Sequence, residues 1–171
     1  GSEMCIRDSN NPPRDRRIEP AEETALLNRL GYVEAEVPVT LHQELAMAFL
    51  IALETAMRQG EILGITAKAV NLKQRFVHLP LTKNGSSRNV PLSKRAVGLI
   101  GILLGEKKGA EKLFRLTSAS ADAMFRKVRD DVAIVGLTFH DTRHEAITRL
   151  ARKVDVLDLA RITGHLSLIH I

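Results

Sequence analysis

Cysteine is almost missing from this chain: Cys5 is the single one in 171 residues, so no disulfide can form within it. Tryptophan is absent, and Tyr32 is the one tyrosine. Long apolar runs are missing too. The longest, Leu45 to Leu53 and Ala96 to Gly105, fall well short of the ~18 residues of a membrane-crossing helix. The N-terminus shows no apolar stretch of the signal-peptide type. These gaps exclude a disulfide-stapled scaffold and a membrane spanner, and a reducing, cytoplasmic compartment is the expectation. Hydrophobic residues make up 44% of the chain and charged residues 26%, enough to bury a normal core in one domain.

Acidic residues are missing from one long stretch. Between Glu61 and Glu106 there is no Asp or Glu, while Lys68, Lys73, Arg75, Lys83, Arg88, Lys94 and Arg95 all fall there. That segment carries a local charge of +7 within a chain of net +5, so the remainder is slightly acidic. A basic segment on a balanced body is the footprint of a polyanion partner, most often nucleic acid, and equally of a plain basic face.

The patterning is mainly helical. Residues 1–16 read as a tail: Gly1-Ser2 opens it, Asn11-Pro12-Pro13 breaks it, and Arg14, Arg16 and Arg17 are expected in solvent. Pro20, Glu22 and Glu23 start a helix that Gly31 ends. Thr40 caps a mostly buried helix from about His42 to Met57, interrupted at Gln59-Gly60, with a further turn to Ile65. Then the period changes. Runs 69–72, 75–79 and 89–92 predict three short strands, with Asn84-Gly85-Ser86-Ser87 turning between the second and third. Helices resume after Ser93, after Ser118 or Ser120, from Asp141 to about Lys153, and from Asp155 to Thr163, stopped by Gly164. The fold class predicted is mainly α with a small three-stranded antiparallel β-sheet.

Four segments can carry chemistry. In Arg58-Gln59-Gly60-Glu61, an arginine follows a helix and a glutamate three residues on can orient it. Lys83 sits at the mouth of the hairpin. In His140-Asp141-Thr142-Arg143-His144, His140 and Arg143 share a face at a helix start, where free N–H groups favour anions. Gly164-His165 places a histidine just past a helix. Taken singly, each also suits an ordinary surface pair, turn or cap. Together, two arginines, a lysine and histidines suit a phosphodiester, whose transition state gathers negative charge on its non-bridging oxygens.

The order Arg58…Glu61, Lys83, His140-x-x-Arg143-His144, Gly164-His165 closely resembles the catalytic domain of tyrosine recombinases, the phage integrase family. The resemblance runs from about Arg16 to His165. It implies a domain, residues 17–165, that binds double-stranded DNA and cuts and rejoins its strands. It implies that Arg58 and Arg143 clamp the scissile phosphate and that Lys83 protonates the 5′-oxygen leaving group. His140 would serve proton transfer, His165 would hydrogen-bond a phosphate oxygen, and Glu61 and His144 would support them. Lys73, Arg75, Lys83 and Arg88 would face DNA. No metal and no high-energy cofactor is implied, because a phosphotyrosine bond conserves the energy. Intact members act as tetramers on two DNA sites, and a bacterial or phage origin follows.

One departure matters. The nucleophilic tyrosine is expected roughly nine residues past the Gly-His histidine, and the six residues after His165 contain none. Tyr32 matches no catalytic motif. Met4 to Ser9 and Leu166 to Ile171 resemble translated adapter sequence, so residues 166–171 are expected to be a non-native tail. The chain is thus expected to end before its nucleophile, to be inactive alone, and to be a monomer. Two other readings stay open: a non-catalytic DNA-binding regulator, and a zinc metallopeptidase using His140 and His144 at i, i+4.

Overall fold

The computed structural model describes residues 14–80 and 87–164. Lys83, the turn 84–86, Cys5 and everything from His165 onward lie outside the described residues. The elements run α1 (Pro20–Arg29), α2 (Leu41–Thr55), α3 (Gln59–Leu63), β1 (Val70–Asn71), β2 (Phe76–Leu79), β3 (Arg88–Pro91), α4 (Lys94–Leu104), α5 (Ser118–Asp131), α6 (Asp141–Ala151) and α7 (Val156–Thr163). The expected class, mainly helical with one three-stranded antiparallel sheet, is what the chain forms.

The helices start where their local chemistry satisfies free backbone donors. Thr40 and Gln43 form a reciprocal capping box on α2, with Oγ1 accepting from Gln43 N and Gln43 Oε1 accepting from Thr40 N, both at 3.1 Å. Ser93 Oγ accepts from Ala96 N to cap α4. Asp155 Oδ1 accepts from Asp158 N to open α7. On α5 the cap is Thr117, one residue before Ser118 and three before Ser120, the caps expected, because Thr117 is the last extended residue and its Oγ1 accepts from Ser120 N.

Helix α2 is the axis of the core. Every residue from Leu45 to Leu53 is buried, so this helix is apolar all round and surrounded by the others. It packs against α4 on one side and α6 on another. Phe49 stacks on Phe125 of α5 with ring centroids 6.2 Å apart, and Phe139 meets both edge-on at 6.4 and 5.7 Å. That aromatic trio fixes the segment just before His140 against the centre of the domain.

The sheet pairs β1–β2–β3 in order, all antiparallel. Val77 faces Val90 and Leu79 faces Arg88. Val77, Leu79 and Val90 are buried, whereas His78 and Asn89 point outward and bond to each other at 2.7 Å.

Two expectations change. The break after α2 falls at Ala56, not at Gln59-Gly60. Ala56 takes a left-handed φ of +61°, and Gln59 already belongs to α3. The second change is at the start of the chain. Arg14 and Arg17 are exposed, as expected, and Arg16 is half-buried, but all three guanidiniums are paired rather than free. Arg14 holds Asp141 through Nε and Nη2 at 3.0 and 2.9 Å, and Arg17 Nε holds Glu145 at 2.8 Å. Arg16 forks onto Glu22. Asp141 and Glu145 are buried carboxylates on α6, and buried carboxylates demand cations. Another such pair ties Glu44 of α2 to Arg115 Nε at 2.7 Å. No helix among the described residues is long and apolar enough to cross a membrane.

Candidate active site

The site begins with the way α2 ends. Thr55 Oγ1 donates to Ile51 O and accepts from Met57 N, so the chain turns out of the helix under tight local control. The left-handed Ala56 and buried Met57 then present Arg58 at the surface, with 41% of its side chain exposed. Its backbone N–H donates to Glu61 Oε1 at 2.9 Å. Among the described residues its one ion pair is with Glu61, at 3.9 Å, and its guanidinium makes no hydrogen bond.

Arg143 is its counterpart and is built differently. It is 4% exposed. Its Nη1 donates to Ala56 O, two residues before Arg58, and its Nη2 donates to Thr163 O at 2.9 Å. One guanidinium thereby ties α6 to the end of α2 and the end of α7. The remaining N–H groups of the fork stay available to an anion. Burial, then the nearby Arg58 charge, push Arg143 down to about 10, so it remains a cation at neutral pH. The two arginines are 85 positions apart in sequence, yet close enough for the charge of one to act on the other.

His140 precedes α6 on the exposed side, one residue past the buried Phe139. Packing around its ring, then Arg143 and Arg58, hold its imidazole below the usual histidine value. A neutral imidazole beside two guanidiniums can accept a proton. Its neighbour Asp141 is committed elsewhere: it accepts from Arg14 and from Thr138 N at 2.8 Å, and burial notwithstanding these bonds keep it ionised below the ordinary carboxylate range. His144 lies half-buried on α6. Among the described residues no three His, Cys, Asp or Glu side chains come together to hold a metal.

The sheet divides the basic residues that the sequence groups. Lys73 and Arg75 are exposed in the β1–β2 turn, beside Phe76. Arg88 stands at the other end of β2, opposite Leu79. Arg88 also departs from the expectation of a DNA-facing side chain. Only 12% of it is exposed, and it turns inward onto Glu61 with Nη1–Oε2 and Nη2–Oε1 both 3.0 Å. Glu61 thus meets both arginines: it accepts from the Arg58 backbone N–H and lies 3.9 Å from that guanidinium, and its close bidentate pair, absent from the sequence reading, is with Arg88. The alternation of β3, in which Arg88 and Val90 fall on the same side, is the signal that could have found it. Lys83 and His165 lie outside the described residues.

Tyr32 sits in the loop after α1. Its hydroxyl donates to Glu34 at 3.0 Å, and burial followed by that carboxylate raises the phenol above its ordinary value. Both effects oppose the phenolate a nucleophile needs.

Residues 16–171 match the phage integrase family. The chain belongs to the phage integrase family. Among relatives, it is 42% identical over 153 residues to a putative integrase/recombinase of Haemophilus influenzae, covering 90% of this chain and 50% of that protein. It is 38% identical over 157 residues to the shufflon-specific DNA recombinase of Escherichia coli, covering 91% of this chain and 38% of that one. The chain thus spans about half the length, or less, of these curated relatives. In fold it is similar to the Tn1549 transposon integrase in complex with circular intermediate DNA, with a TM-score of 0.71 at 19% identity over 99% of this chain and 69% of that one. It is also similar to the catalytic domain of bacteriophage HP1 integrase, with a TM-score of 0.64 at 21% identity over 90% and 83%. The domain is the integrase-family catalytic fold, and Arg58, Glu61, His140 and Arg143 are brought together within it.

Proposed function

We propose that this chain is the DNA-binding catalytic part of a site-specific tyrosine recombinase. The observation that carries the reading is the Arg58–Arg143 pair. One guanidinium is fixed by two backbone carbonyls and the other is exposed near it, an arrangement that suits the two non-bridging oxygens of a phosphodiester as they gather charge in the transition state. The names of the relatives, integrases and recombinases, and of a structural neighbour held on DNA, support the same conclusion.

In this reading Arg58 and Arg143 bind the non-bridging oxygens of the scissile phosphate. A tyrosine oxygen attacks phosphorus, the bond to the 5′-oxygen breaks, and a 3′-phosphotyrosine forms. His140 takes part in moving the proton of the attacking group, Lys83 supplies one to the leaving oxygen, and His165 donates to a phosphate oxygen. Rejoining is the reverse, so no external energy is required. Tyr32 does not serve, being raised in pKa and paired with Glu34. The nucleophile of the reaction is therefore not Tyr32. The chain acts as a monomer in solution and as one member of a tetrameric synapse in its full-length relatives.

The test is a duplex-binding titration over a range of salt. Binding to DNA is expected, falling steeply as salt rises, with Arg58→Gln lowering the slope by about one. A salt-insensitive affinity would overturn the reading. Incubation with a nicked suicide substrate is expected to give no covalent adduct, and an adduct would overturn the assignment of the nucleophile.

A further inference from the structure

We propose that Arg88 is a positioning residue: it holds the Glu61 carboxylate so that Arg58 stays open to a phosphate, and it anchors the turn at Gly164 against the same site. This rests on the phosphate-site reading above and deepens it.

Both oxygens of Glu61 are occupied. Oε2 accepts from Arg88 Nη1, and Oε1 accepts from Arg88 Nη2 and from the Arg58 backbone N–H. The carboxylate is nearly buried, with 11% of its side chain exposed, so it cannot rely on water and must bond to a cation. Two cations compete for it. Arg88 wins with a bidentate pair at 3.0 Å, and Arg58 is left at 3.9 Å. Remove Arg88 and, among the described residues, the cation free to close on Glu61 is the Arg58 guanidinium, three residues away on the same turn, because Arg143, which also feels the Glu61 charge, is held by Ala56 O and Thr163 O. Closing that gap by about 1 Å would make an ordinary ion pair and withdraw Arg58 from its anion.

The third arm of Arg88 reaches α7. Its Nε donates to Ile162 O at 3.2 Å. Gly164 lies against the same guanidinium: a Cβ added there would come within 3.2 Å of Nη1 and 3.3 Å of Cζ, at a left-handed φ of +67°. The turn that precedes His165 in sequence is thus shaped around Arg88, and a side chain there would collide with it. Burial raises the Glu61 carboxyl, but the bonds from Arg88 and from Arg58 N outweigh it and keep the group ionised.

The experiment uses the 171-residue chain with a short duplex, and the variants R88Q, E61Q, R88Q/E61Q, R58Q and R88K. R88Q is expected to weaken binding about five- to tenfold and to lower the salt slope by about one, as R58Q does. E61Q is the reference for the latch: R88Q/E61Q is expected to bind within about threefold of E61Q, because without the carboxylate Arg58 has nothing to close onto. R88K keeps the charge and recovers part of the loss. Additive effects, with E61Q tightening binding as much as R88Q weakens it, would mean plain charge and would overturn the positioning role. A double variant as weak as R88Q would mean that Arg88 itself touches DNA, and would overturn it too. A readout without DNA separates the two readings: the carbon-13 titration of the Glu61 carboxyl should move up in R88Q, because its closest cation is gone. An unmoved titration overturns the latch whatever DNA does. A moved titration with R58Q binding like the parent overturns the phosphate site and leaves the latch standing.

Discussion

Glu145 offers a sharp test of how α6 is held. Its carboxylate is 3% exposed and accepts from Arg17 Nε at 2.8 Å and from Ile18 N at 3.3 Å, with Arg149 farther off at 3.8 Å. Glu145→Gln keeps the volume, removes the charge, and turns an amide N–H₂ toward cations. A hydrogen bond to a charged group contributes about 1.5–3 kcal/mol. Arg17 is half exposed, so solvent screening reduces this to about 1–2 kcal/mol. For a chain of this size that is a fall in Tm of about 2–8 °C. Burial raises the Glu145 carboxyl, but the Arg17 and Ile18 bonds prevail, and its folded value lies below the ordinary one. A depressed carboxylate stabilises above its unfolded pKa, about 4.3, and that stability is lost as pH falls through the folded value. Melting followed by circular dichroism should therefore show the full gap between parent and variant at neutral pH and a shrinking gap in acid. Arg17→Ala should erase the same pH dependence, and the double variant should lose less than the two singles together. A neutral-pH difference below about 1 °C, or a gap that persists undiminished in strong acid, would refute the strap.

Further outcomes follow from the same geometry. Phe125→Ala should cost about 3–5 kcal/mol, read as a lower denaturant midpoint, because it empties the centre of the Phe49–Phe125–Phe139 trio. Arg143→Lys should weaken duplex binding more than Arg58→Lys does, since one ammonium cannot hold Ala56 O, Thr163 O and an anion at once. His140 should titrate below the usual histidine midpoint by proton NMR, and Arg58→Gln should raise that midpoint by removing a cation. Gly164→Ala should raise the Arg88 region's hydrogen exchange and lower stability, because its φ of +67° and the Arg88 guanidinium both oppose a Cβ.

Much of this molecule could be read without coordinates. Helix starts are local events, decided by a side-chain oxygen reaching an amide three residues away, so Thr40, Ser93 and Asp155 announce their helices. The change of period after Ile65 announces the sheet. The break at Ala56 is not signalled by the residue itself, because alanine favours helix; the Thr55 bond to Met57 N, the burial of Met57 and the Arg143 bond to Ala56 O surround its left-handed turn.

The sequence by itself determined the fold class and the family, and it singled out the two arginines proposed to bind phosphate. These rest on residue type and short spacing, and a guanidinium at a helix end keeps its chemistry wherever the chain carries it. Which cation serves which anion was decided by tertiary structure alone. Arg14 and Arg17 read as solvated ends of a tail, yet they neutralise carboxylates more than 120 positions away. Arg88 reads as one of a run of cations facing DNA, yet β3 turns it onto Glu61. Charge is long-ranged in sequence terms, and a buried carboxylate takes the cation that the fold brings within 3 Å. The lone tyrosine shows the same division: its count is legible in the sequence, and its pairing with Glu34 belongs to the fold.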